Sequence, residues 1–97
     1  MKTFKLGKNG RTVRRDTVKK LISAGAKVVI NYCYTDDYVW DASVNFKEGC
    51  ILSTSEALKD ISFGRAYCWF DKEGSIIVSF GYTSWTVKYN TNEFKFV

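Results

Sequence analysis

The sequence predicts an α+β fold, with short helices packed on one face of a four- to six-stranded, mainly antiparallel sheet. Apolar residues recur at helical spacing behind capping residues in the first two thirds of the chain. The last third instead contains three β-branched and aromatic runs separated by short turns. Because the 97 residues include no Gly-, Pro- or Ser-rich linker, we predict a single domain over residues 1–97.

A basic β-hairpin is predicted at the N-terminus. Phe4 and Leu6 alternate with Lys5, as on a strand with one apolar face. The following KNG supplies a turn, since Asn-Gly pairs favour positive φ. Residues 11–14 are then expected to return as the partner strand.

A short helix is predicted directly after this hairpin, from Asp16 to Ala24. Asp16 is a favourable N-cap residue, and Gly25 suits the left-handed position that follows a last helical turn. An earlier start capped by Thr12 is the alternative, because helical spacing extends back to Val13.

Three further elements are predicted in the middle of the chain. The β-branched and aromatic run KVVINYCY, residues 27–34, predicts a central strand. Residues 36–46 predict a second helix, because Thr35 offers a cap, two aspartates follow, and apolar residues recur at i, i+3, i+4 and i+7. The sequence STSE at 53–56 matches a capping box and predicts a third, short helix.

The last third predicts an antiparallel meander. RAYCWFD, SIIVSFGY and SWTVKY are strand-like runs separated by KEG and by GYTS. The terminal EFKFV is predicted to add an edge strand.

Two aromatic residues of this meander are predicted to be half exposed. Alternation along the first strand places Tyr67 and Trp69 on one face, opposite a core face formed by Ala66, Cys68 and Phe70. Trp85 and Tyr89, from the neighbouring strands, are candidates to extend the exposed patch.

The charge is unevenly distributed along the chain. Residues 1–27 contain nine cations and one acid, Asp16, for a net charge of +8, whereas residues 28–97 contain six cations and nine acids, for −3. On a merely solvated helix face, acids are expected to alternate with the bases, because neighbouring like charges repel. The basic segment therefore indicates an anionic partner, with an ordinary solvated face as the alternative.

No constellation of catalytic or metal-binding residues is evident. The chain has no histidine, and its three cysteines are odd in number and far apart, so neither a zinc site nor an activated nucleophile is indicated. The aspartates at 36, 37 and 41 are explained by the start of the predicted helix, and no phosphate-loop motif is present. We expect a non-enzymatic protein with no metal and no cofactor.

The N-terminal residues lack the apolar core of a signal peptide, and no apolar run is long enough to cross a bilayer. Reduced cysteines in a cytoplasmic protein without membrane association are therefore expected.

In overall make-up the chain resembles the small inhibitors that phages encode against host machinery, including anti-CRISPR proteins. The resemblance rests on small size, α+β layout, one-sided charge and an aromatic sheet, and it carries over no functional residue. It implies an inhibitor that docks on a host protein or nucleoprotein complex in the host cytoplasm. The alternative is a protein that binds DNA or RNA directly, with the same cations on phosphates. Under either hypothesis the predicted binding residues are Lys8, Arg11, Arg14, Arg15, Lys19, Lys20, Tyr67 and Trp69.

Overall fold

The structure is a computed structural model that describes residues 2–5, 11–33, 49–62, 65–80 and 83–97. It confirms the α+β class, with two short helices packed against a five-stranded antiparallel sheet and a small parallel sheet beside them. In chain order the elements are β1 (Lys2–Phe4), α1 (Arg15–Ser23), β2 (Lys27–Cys33), β3 (Ile51–Leu52), α2 (Thr54–Ile61), β4 (Tyr67–Phe70), β5 (Ile76–Phe80), β6 (Thr83–Lys88) and β7 (Phe94–Phe96).

The main sheet has the strand order β3-β2-β6-β5-β4, and every neighbouring pair is antiparallel. The predicted meander is confirmed as β4, β5 and β6, and the predicted central strand is β2. The two-residue strand β3 was not predicted, because so short an element has no measurable period. The predicted helix over residues 36–46 lies outside the described residues, as does Tyr34 at the end of the predicted strand.

The predicted N-terminal hairpin is wrong for the residues that the structure describes. β1 pairs in parallel with β7, whereas Thr12 forms a bridge with Trp69 of β4. The ring of Phe4 lies 6.0 Å from Phe94 and 5.7 Å from Phe96, between centroids. Aromatic contacts between the two ends of the chain thus accompany the pairing of β1 with β7 instead of with residues 11–14. The terminal strand exists as predicted, but it belongs to this second sheet.

One face of the main sheet carries the hydrophobic core. The register aligns Ile30, Trp85, Val78 and Cys68 across four strands, and all four side chains are buried. The buried residues of both helices belong to the same cluster: Val18, Leu21 and Ile22 from α1, and Ala57 and Ile61 from α2. The helices therefore cover this face of the sheet, as predicted.

The helix boundaries test the capping predictions. Ser53 is the N-cap of α2, and its hydroxyl accepts a hydrogen bond from the Glu56 N–H at 3.3 Å, as the capping motif predicted. Gly25 follows α1 with φ +103°, as predicted. Asp16, however, is not the cap of α1. The extended residue Arg14 is the N-cap, and the Arg14 carbonyl accepts the hydrogen bond of the Val18 N–H at 3.1 Å.

Candidate binding surface

A short extended segment attaches to the free edge of β4. Thr12 lies opposite Trp69, the Val13 N–H donates to the Cys68 carbonyl at 2.9 Å, and the Phe70 N–H donates to the Arg11 carbonyl at 2.8 Å. The segment is therefore held to the sheet on both sides of the bridge. These bonds also explain the early start of α1, because the chain leaves β4 at Val13 and the helix begins two residues later.

This segment and β4 enclose a shallow depression of about 590 Å³. Its lining combines residues from the basic segment with residues from the aromatic strand: Arg11, Thr12, Val13, Ala66, Tyr67, Cys68 and Trp69. No carboxylate is among these lining residues. Arg11 thus meets Tyr67 and Trp69, predicted site residues more than fifty positions away in sequence, at one sheet edge.

The exposed aromatic pair lies where the alternation predicted. Tyr67 is 62% exposed and Trp69 38%, whereas Cys68 between them is buried. Ala66 and Phe70 are partly buried and pack against the core, as expected for the other face.

The predicted extension of this aromatic patch is wrong. Trp85 is fully buried, because the register places it between Ile30 and Val78 in the core. Tyr89 is half-buried, and its ring meets the edge of Phe96 at 5.5 Å between centroids. Burial, reinforced by the charge of Asp71, raises the pKa of Tyr89.

Trp69 is instead the end of an aligned row on the face opposite the helices. The row continues through Ile77, Thr86 and Val29 to Ile51 at the other edge. Ile77, Thr86 and Val29 are half-buried, and Ile51 is exposed. Four strand spacings of about 4.8 Å place Ile51 about 19 Å from Trp69. The two exposed side chains therefore lie at opposite edges of this face.

Arg14 and Arg15 occupy the positive end of α1. Arg14 is the N-cap and makes no side-chain capping hydrogen bond, and Arg15 is the first helical residue. Cations at this end interact unfavourably with the helix dipole. A helix without a side-chain N-cap also lacks about 1 kcal/mol of stabilisation. Asp16 in the first turn offsets part of this cost. Helix stability therefore does not explain why an arginine occupies the N-cap position 14.

The lysines of α1 lie at its other end, away from the aromatic pair. Lys19 and Lys20 line a second depression of about 560 Å³ together with Lys2, Ser23, Ala24, Leu58 and Ser62. This depression adjoins the C-terminal ends of both helices, where the dipole favours lysine without any ligand. The predicted binding residues are thus divided between two places, and Lys8 lies outside the described residues.

Sequence reasoning missed Arg65. It is exposed and directly precedes Ala66 of the aromatic depression. The net charge of −3 over residues 28–97 conceals Arg65, although the sequence RAYCWF shows a cation immediately before an aromatic strand.

The Cys68 thiol, which lines this depression, has the chemistry of a buried group. Burial raises the pKa of the Cys68 thiol to about 11, against the opposing effect of Arg15. At neutral pH Cys68 is therefore a protonated and weakly nucleophilic thiol. Within the described ranges, no cluster of three or more Cys, Asp or Glu residues is arranged to hold a metal ion.

Among the described residues, the helices are α1 and α2, and neither is long and apolar enough to cross a bilayer. No protein-family model matches the chain, and no curated protein or solved structure is significantly similar to it.

Proposed function

We propose that this chain is a non-enzymatic inhibitor that docks on a nucleoprotein complex of a host cell, in the manner of anti-CRISPR proteins. Arg11 and Arg14 steer the approach of the anionic partner, while Tyr67 and Trp69 anchor it. The proposal places the interaction in the host cytoplasm.

The observation that carries this proposal is the meeting of Arg11 with Tyr67 and Trp69 along one depression without a carboxylate lining. Arginine, tyrosine and tryptophan are the residue types that most often dominate binding energies at interfaces. Their convergence from two distant segments is not required by the core, because both aromatic side chains project away from it.

The energetics of Arg14 support the same surface. A cation at an uncapped helix N-terminus costs stability through both the missing cap and the dipole. Residues that break a local rule of stability are most common where function requires them. Arg14 is exposed, precedes the helix by one residue and directly follows Val13, which lines the aromatic depression.

The test measures target-DNA binding by a panel of purified, guide-loaded CRISPR effector complexes with and without the protein. We expect the wild type to abolish target binding by at least one complex and to bind that complex directly. The variant R11E/W69L is expected to bind at least tenfold more weakly, because it removes an arginine and an aromatic anchor together.

The matched control is K72E/K95E, which reverses two exposed lysines away from the depression. It is expected to inhibit like the wild type. Equal inhibition by R11E/W69L and the control, or no binding to any complex in the panel, would contradict the proposal.

Direct nucleic-acid binding is the second candidate, and the length of the basic surface favours it. The cations of α1 extend from Arg15 to Lys20, five residues or about 7.5 Å along the helix axis. This length matches about two phosphates of one DNA strand. A mobility-shift titration with a 20-base-pair duplex tests it, and log Kd is expected to change with log salt by about 0.9 per neutralised phosphate.

A further inference from the structure

We propose that the depression lined by Arg11, Tyr67 and Trp69 is a site for unpaired nucleobases of a single-stranded nucleic acid. The inference rests on the proposed function and deepens it, because it names which part of a nucleoprotein partner occupies the aromatic surface.

The geometry of the aromatic pair fits bases. Tyr67 and Trp69 are two residues apart on β4, which places their Cα atoms about 7 Å apart on the same face of the strand. A nucleotide in an extended strand covers a similar length, so consecutive unstacked bases are able to meet consecutive rings. Stacking on exposed aromatic side chains is the main way in which proteins hold unpaired bases regardless of sequence.

The charges around the pair fit a phosphate backbone. Arg11 lines the depression, and the exposed Arg14 and Arg65 flank it in sequence on the two paired segments. No carboxylate is among the described residues that line the depression, so a polyanion meets no repulsion from them. Arginine also stacks on bases, which gives Arg11 a second mode of contact.

The exposed apolar area at the depression is small and is matched by stacked bases. Among the described residues, the large hydrophobic side chains with high exposure are Ile51, Tyr67, Trp69 and Val97, and of these only the aromatic pair lies at the depression. Two aromatic side chains bury about 300–500 Å² even when fully covered. A standard protein interface buries about 800 Å² on each partner. Base stacking, in contrast, needs only one ring face per base.

The test uses a fluorescein-labelled twelve-nucleotide oligo-dT and a twelve-base-pair duplex at 50 mM salt, with anisotropy giving Kd. Two substitutions separate stacking from apolar contact: W69F keeps a ring, whereas W69L keeps only bulk. We expect oligo-dT to bind more tightly than the duplex. W69F should stay within about threefold of the wild type, while W69L should lose about 5- to 150-fold, the range measured for single stacked bases.

Y67L provides a second variant at a more exposed position, so the test does not depend on folding of a variant at Trp69. It is expected to weaken oligo-dT binding in the same range. I51A, at the far edge of the same face, should leave oligo-dT binding unchanged. Melting temperatures of all variants show whether any loss reflects unfolding.

Equal affinity for oligo-dT and duplex, absence of oligo-dT binding, or equal affinities of W69F and W69L would overturn the inference. The proposed function survives that result if R11E/W69L still loses inhibition of an effector complex, and the occupant of the depression is then a protein surface. Both ideas fail if R11E/W69L also inhibits like the wild type.

Discussion

Arg14 is placed where a side chain with a capping oxygen would serve the helix better. Its φ of −70° and ψ of 141° are those of an N-cap, yet its side chain makes no capping bond. R14S is therefore expected to raise the free energy of unfolding relative to R14A by about 1 kcal/mol, since only serine offers the capping oxygen. Urea unfolding of the two variants measures the difference, and equal stabilities would contradict the capping argument.

Both substitutions remove the same charge, so they are expected to weaken partner binding to the same extent. Stability and binding then change independently at one position. A binding loss in R14A with no loss in R14S would show that helix stability, rather than charge, determines binding.

The Cys68 thiol predicts a pH dependence of stability. Its pKa in the folded protein, about 11, lies above the ordinary value of 9.0, so the folded state keeps a proton that the unfolded chain loses. The stabilising contribution is full below pH 9 and is lost as the pH rises toward 11. The stability difference between the wild type and C68A is therefore expected to shrink between pH 9 and pH 11 in urea titrations. A constant difference would contradict burial of this thiol.

The exposure of individual side chains was predictable where alternation was applied consistently. Tyr67 and Trp69 were assigned correctly because their neighbour Cys68 marks the core face. Trp85 was assigned to the wrong face, although it shares a face with Val87 and alternates with polar Ser84 and Thr86. Its burial follows from pairing with both Ile30 and Val78, and sequence alone does not give that register.

Among the elements, those defined by local interactions were predictable and those defined by distant pairing were not. The capping box of α2 and the glycine after α1 act within a few residues, and both were identified. The pairing of β1 with β7 joins the two ends of the described chain. The Asn-Gly pair predicts a local hairpin instead. The Phe4 contacts that favour the β1–β7 pairing arise only after folding, so the sequence does not show them.

The β1–β7 pair predicts a large effect at Phe96. Its ring contacts those of Phe4, Phe70 and Tyr89, at centroid distances from 4.9 to 5.7 Å. F96A is expected to lower the free energy of unfolding by about 2 kcal/mol or more. The adjacent, exposed Lys95 provides the matched control, and K95A should stay within about 0.5 kcal/mol of the wild type. Similar stabilities of F96A and K95A would show that the terminal pair adds little to the fold.

For the whole molecule, the charge asymmetry of the sequence does not define a single basic surface. The sequence predicts one basic patch, whereas the structure places Arg11 beside the aromatic strand and Lys19 and Lys20 in the depression near the helix C-termini. The separation depends on the attachment of residues 11–13 to β4, which is a tertiary contact. Arg11 and Tyr67 therefore became one candidate surface only once the fold was known.

The central claim is that the arginines of the basic segment serve association rather than folding. Its most direct test is the charge reversal R11E/R14E/R15E, with melting temperature and Kd for the inhibited effector complex measured on the same sample. Exposed charges contribute little to folding but strongly to association. We predict a melting temperature close to that of the wild type and a loss of affinity of at least tenfold, mainly through slower association. Unchanged affinity would contradict the account and leave the segment as a solvated face.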